Sequence, residues 1–169
     1  KTPKTSPERL RIGFVEQGAE ELLVTHNFWE KPLSELTSAE WEQLCDGCGQ
    51  CCLKSLEDES TGEIALTRVV CRHHDQETGA CGSYSSRHEL VPDCLDVGKM
   101  DIGAAPWMPE TCAYRLRYEN KPLKSWHPLI AGDRAAMIAE GIALAGSAIS
   151  EDYVHPDGYD EHIIRWVEA

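Results

Sequence analysis

The chain has 169 residues, 41% apolar and 27% charged, a size and balance that suit one globular domain with extensions. Its 29 acidic residues against 16 Lys and Arg give a formal charge of -13. That balance argues against a nucleic-acid backbone or an anionic membrane as partner, because neutralising phosphates requires clustered cations.

Residues 1–27 carry Pro3, Pro7, Gly13 and Gly18 among mixed charges and are expected to form an arm or peripheral element, with only Ala19–Val24 suited to a short helix. Thr37-Ser38-Ala39-Glu40 matches a helix capping box, and Trp41 and Leu44 give the following turn one apolar face. A short helix is therefore predicted to run into Cys45. Glu63–Val70 is rich in β-branched residues and predicts a strand ending at Cys71; Gln76–Gly79 reads as a turn and Ala80–Tyr84 as a second strand.

Pro92, Gly98, Gly103, Pro106 and Pro109 make the next stretch loop-rich. Thr111–Tyr118 predicts a short helix carrying Cys112, with Tyr114, Leu116 and Tyr118 as packing residues. Asp133–Glu140 reads as a helix, Ile142–Ile149 as helix or strand, and His162–Val167 as a C-terminal helix with Trp166. No strand–helix–strand pattern repeats. The expected fold class is α+β: a small, loop-rich single domain with short helices and a β-hairpin organised around a cysteine-ligated metal site. Its expected bounds are 28–151, preceded by the arm 1–27 and followed by a helical extension, 152–169.

No run reaches the roughly 18 apolar residues that cross a bilayer; the longest candidate, Leu129–Ile149, is broken by Asp133, Arg134 and Glu140. Lys1–Leu10 is polar and no apolar segment follows it, so no secretory signal is expected.

The eight cysteines carry the functional signal. Cys45, Cys48, Cys51 and Cys52 fall within eight residues, and Cys71, Cys81, Cys94 and Cys112 follow in the next 60. A CxxC turn brings two sulfurs to one side of the chain, at a separation that one tetrahedral ion with sulfur at about 2.3 Å can span. Cys48 ends one such turn and begins the next. Gly47 and Gly49 tolerate positive φ and let backbone amides approach the sulfurs.

Consecutive CxxC turns are also the pattern by which ferredoxin-type runs grip an iron–sulfur cluster. Zinc fits equally, since eight thiolates can close two four-sulfur sites, with Cys51 and Cys52 diverging to different ions. Four disulfides would use the same even count, but such frameworks belong to much shorter chains, and a bridge between adjacent Cys51 and Cys52 would strain the peptide between them.

His73, His74, His88 and His127 are further possible ligands that eight cysteines make unnecessary. Asp46, Glu57, Asp58, Glu59 and Asp93 are candidates to hydrogen-bond around the ligands or to bind a substrate cation. No GxSxG, HExxH, GxxxxGK[ST] or GxGxxG arrangement is present, so no catalytic residue is assigned.

With CDGCGQCC at 45–52, VPDC at 91–94, TCAYRL at 111–116 and WHPLIAGD at 126–133, the chain resembles the YkgJ-type CxxCxxCC cysteine-cluster family, described as zinc- or iron-chelating, and within it the bacterial YcgN-like subgroup. The resemblance implies that Cys45, Cys48, Cys51, Cys52, Cys71, Cys81, Cys94 and Cys112 belong to the shared cysteine set. It also implies a cytoplasmic bacterial setting, and it supplies no reaction. Many relatives carry another cysteine where this chain has Gly79.

The leading expectation is a cytoplasmic metal-binding protein whose cysteines hold Zn2+ or iron, with the metal required for folding. An iron–sulfur enzyme or electron-transfer accessory is the alternative, and a metal storage or delivery protein the third. A protein partner is not identifiable from the sequence.

Overall fold

The computed structural model describes residues 27–168. The predicted helix at Ala19–Val24 lies outside them.

Two single-turn 3-10 segments, Phe28–Glu30 and Leu33–Glu35, lead into helix α1, Ser38–Leu44. The expected capping box is complete: Thr37 Oγ1 accepts from the Glu40 amide at 3.3 Å, and Glu40 Oε2 accepts from the Thr37 amide at 2.9 Å. These contacts satisfy two amides that an isolated first turn leaves open. Leu44, at the other end, is fully buried.

Strand β1 (Leu53–Glu57) follows the cysteine run and pairs antiparallel with β2 (Ile64–Val70), Glu57 opposite Ile64 and Leu53 opposite Val70. Asp58 shapes the connection by accepting from the Ser60 and Thr61 amides at 2.8 and 3.1 Å. Ala65, Thr67, Val69 and Val70 are buried, so β2 is the spine of the sheet. The bulge between Leu53 and Ser55 sits beside Thr67, whose hydroxyl donates to the Lys54 carbonyl at 2.8 Å.

The predicted β2 strand is present, but its neighbours differ from expectation. Ala80–Tyr84 does not return along it: only β4 (Ala80–Cys81) is extended, and it pairs with β3 (His74–Asp75) in a separate small hairpin around the predicted 76–79 turn. Asp75 Oδ1 accepts from the Glu77 and Thr78 amides and closes that turn before a long strand can form.

Short helices α2 (Arg87–Leu90), α3 (Ala113–Tyr118), α4 (Pro128–Ala131) and α5 (Ala135–Ala139) follow, separated by turns. Tyr114 and Leu116 pack as expected, whereas Tyr118 stands about half exposed at the end of α3. Ile142–Ile149 forms neither a helix nor a strand of its own; only Ile149 enters strand β5 (Ile149–Ser150), parallel to the end of β2.

The predicted C-terminal helix is a strand, β6 (Ile163–Val167), antiparallel to β2 with Val167 opposite Ile64. Ile163, Ile164 and Val167 are β-branched, and the open side of β2 offers them backbone partners that six residues of helix cannot match. The α+β class holds, with one mixed sheet, a small hairpin and short helices. A buried cluster of Leu44, Ile102, Met108, Ala113 and Tyr114 joins α1 to α3. A second cluster unites Cys48, Met137 and Ala143.

Candidate metal centre

Each cysteine is placed by the end of an element. Cys45 is the C-cap of α1 and Cys112 the N-cap of α3. The two helices are joined by a Trp41–Tyr114 stack with centroids 4.7 Å apart and by the Tyr114 hydroxyl, which donates to the Trp41 carbonyl at 2.9 Å. Gly47 (φ 68) and Gly49 (φ 79) are both left-handed, as the overlapping turns require.

Cys52 and Cys71 flank the open end of the β1–β2 hairpin, where the Cys71 amide donates to the Cys52 carbonyl at 3.0 Å. Cys81 lies on β4 opposite His74. The Cys94 amide closes a turn by donating to the Val91 carbonyl at 2.9 Å.

All eight are free thiols; Cys48 is buried, Cys45 and Cys51 are exposed residues around whose sulfurs protein still packs densely, and the others are half-buried. Burial pushes the Cys45 thiol up to about 12, helped by the charges of Asp46, Cys51 and Cys112 and opposed by the Gly47 amide. Burial likewise carries Cys112 up to about 11, with Asp46 and Cys51 adding to it and the Arg115 and Tyr114 amides opposing.

Cys48 is held well above its ordinary value by burial and then by Asp46. Cys51 is held up first by its hydrogen bond to Cys52 and then by burial. Cys94 is raised by burial, with Cys51, Cys71 and Cys81 as its thiol neighbours and Arg87 opposing. Cys51 is thus felt by Cys45, Cys48, Cys94 and Cys112, Cys52 bears on Cys51, and Cys71 and Cys81 bear on Cys94. The upward shifts of Cys45, Cys48, Cys51, Cys94 and Cys112 favour the neutral thiol, and a nearby cation would reverse that logic.

The C-terminal part of the chain holds the cysteine loop in place. Arg134 Nη2 donates to the Gly47 carbonyl at 2.7 Å and to the Gly79 carbonyl at 3.3 Å. Gln50 Nε2 donates to the Ile142 carbonyl at 3.0 Å, and the Leu144 amide donates to the Cys48 carbonyl at 3.0 Å. Sequence reasoning missed Arg134, Gln50 and Met137 as supports of the site. Their contacts span about 90 residues of chain and leave no local pattern.

The histidines divide clearly. His127 is buried, with Nδ1 accepting from the Leu129 amide at 3.1 Å and Nε2 3.1 Å from the Leu44 carbonyl. A carbonyl only accepts, so Nε2 carries the proton and neither nitrogen is free for a metal. His73 Nδ1 lies 3.3 Å from the Ser83 hydroxyl, and His88 Nε2 lies 4.0 Å from Asp96 Oδ2. His74 is buried against Gly49, and neither ring nitrogen has a partner of good hydrogen-bond geometry.

Among the described residues, no three Cys, His, Asp or Glu side chains are disposed as a ready-made metal site. The donor chemistry nevertheless fits a thiophilic ion such as zinc or iron, because all eight cysteines are free thiols and the Gly47, Gln50, Tyr114 and Arg115 amides are directed at cysteine sulfurs. Asp46 adds a buried oxygen, Oδ2, that has no hydrogen-bond partner.

Comparison with known proteins agrees with that chemistry. Residues 44–113 match the family model CxxCxxCC, described as "Putative zinc- or iron-chelating domain". A UPF0260 protein of Rhodobacter capsulatus is 48% identical over 139 residues, 82% of this chain and 93% of the relative. One from Azotobacter vinelandii is 47% identical over 138 residues, 81% of this chain and 93% of the relative. UPF0260 protein YcgN of Salmonella newport is 45% identical over 154 residues, 89% of this chain and 99% of the relative. No solved structure matches the chain.

Proposed function

The chain belongs to the UPF0260 family, and from that membership and the free thiols we propose that it is a metal-binding protein whose bound ion fastens the fold. Cys45, Cys48, Cys51, Cys52, Cys71, Cys81, Cys94 and Cys112 are its proposed ligands, and zinc or iron its metal. The observation that carries this reading is that all eight cysteines are free thiols, with Cys45, Cys52, Cys71, Cys81 and Cys112 placed at the ends of the elements that frame the double turn. The ion would supply the positive charge that lets adjacent thiolates coexist. Backbone amides at the ends of α1 and α3 would share that negative charge.

A structural metal suits the way the cysteines punctuate short elements: a shared ion would tie the C-cap of α1, the N-cap of α3 and the ends of both hairpins. The reducing cytoplasm is the proposed setting, since thiols persist there.

Anaerobic purification followed by elemental analysis and an absorption spectrum tests the reading. Colourless protein with stoichiometric zinc supports the structural role. A brown protein with broad visible absorbance moves the function to an iron–sulfur enzyme or electron-transfer accessory. Metal that a chelator removes while the fold persists moves it to storage or delivery. In the same assay Cys48→Ser, at the overlap of the two turns, should lose more metal than Gly79→Cys; equal content in both would count against the shared-turn site.

A further inference from the structure

Asp46 is the one residue between Cys45 and Gly47, and it is 94% buried, since only 6% of its surface remains exposed. Its Oδ1 shapes the loop by accepting from the Cys48 amide at 2.9 Å. Its Oδ2 has no hydrogen-bond partner.

A carboxylate oxygen withdrawn from water and left unpaired is destabilising unless a cation or donor meets it. Among the described residues, no nitrogen donor nearby meets it. Arg134 Nη2 serves the Gly47 and Gly79 carbonyls while its Nε, beside Gly47, has no hydrogen-bond partner, Asp46 included, and the His127 Nε2 proton is spent on the Leu44 carbonyl. The Cys48 thiol, a weak donor, is the group that bonds the Asp46 side chain. Asp46 lies in the double turn between Cys45 and Cys48, and its charge also reaches Cys51 and Cys112. These cysteines arrive from the end of α1, the double turn and the start of α3. A buried carboxylate oxygen that no cation meets, set within a cysteine turn, is costly as it stands and becomes favourable around a divalent ion.

We propose that Asp46 is a ninth metal ligand, donating Oδ2 to a divalent cation held among the thiolates of Cys45, Cys48, Cys51 and Cys112, while Oδ1 keeps the turn closed. This rests on the metal-binding reading above and adds to it a mixed sulfur–oxygen site on the helix side of the cluster. Oxygen is a harder donor than thiolate, so the mixed site tolerates a less thiophilic ion than an all-sulfur one.

The test uses the full chain loaded anaerobically with cadmium-113, because each bound ion then gives its own NMR resonance and an oxygen ligand moves that resonance upfield of an all-thiolate site. Asp46→Asn is the variant of choice, since its side-chain carbonyl can still accept from the Cys48 amide. The wild-type chain should show one upfield resonance, and Asp46→Asn should shift or abolish it, weaken cadmium uptake at that site about tenfold or more, and leave any other resonance in place.

Wild-type resonances all at the all-thiolate position, or superimposable spectra and titrations for the two proteins, would overturn the proposal while leaving cysteine ligation intact. If Asp46→Asn does not fold, the wild-type chemical shifts alone decide. A wild-type chain that takes up no cadmium would sink the metal-binding reading itself, and this proposal with it.

Discussion

Thr37 shows how directly a single side chain can be read. Its hydroxyl and the Glu40 carboxylate were expected to cap a helix, and both hydrogen bonds are formed. Thr37→Ala should cost about 1 kcal/mol, measured as a lower urea midpoint at unchanged slope. Leu44 ends that helix fully buried, so Leu44→Ala should cost about 3 kcal/mol by the same measurement, through lost burial and the cavity left behind. Gly49 was legible as a turn residue, but its second constraint was not. A Cβ there would stand 2.5 Å from His74 Nε2, a residue 25 positions away. Gly49→Ala should therefore destabilise more than left-handed strain of about 1 kcal/mol alone, with a loss of thermal midpoint that His74→Ala partly restores in the double variant.

At the level of elements, the strongest local signals were read correctly, whereas Ala80–Tyr84 was read too long and the elements that depend on distant pairing were missed. The capped helix and the β-branched run Ile64–Val70 carry their own signals. Leu53–Glu57, by contrast, holds Lys54, Ser55 and Glu57, and becomes a strand because β2 supplies the ladder. His162–Val167 has apolar residues at spacings compatible with either period, and the free side of β2 decides for a strand.

Glu151 fastens this part of the sheet by pairing with Lys54 at 2.8 Å and accepting from the Arg72 amide at 2.9 Å. Burial alone would raise its carboxyl, but Lys54 and Arg72 prevail and hold it down to about 2, against 4.5 ordinarily. A depressed carboxyl contributes stability that is complete above its unfolded value and is lost as pH falls through the folded one. Urea denaturation should thus show stability declining between about pH 4.5 and 2, and Glu151→Gln should be less stable at neutral pH with a flatter decline. An identical pH slope in the variant would show that the pairing carries no linkage.

For the whole molecule, the cysteine set was legible as a motif while its scaffold was not. The spacing identified the thiols, but the support from Arg134, Gln50 and Leu144 is a product of tertiary structure. The buried Asp46 oxygen likewise becomes visible only once the loop is folded. Among the described residues, two modest apolar clusters and short elements leave the cysteine region with little core of its own, so a bound ion would contribute a large share of its stability. Chelator treatment should lower the thermal midpoint sharply, and re-addition of the metal should restore it.

The measurement that bears most directly on the central claim is the zinc and iron content per chain of anaerobically purified protein, compared with Cys48→Ser. At least one tightly held ion in the wild type and a clear loss in the variant are the predicted result. A folded wild-type chain with neither metal would contradict the account.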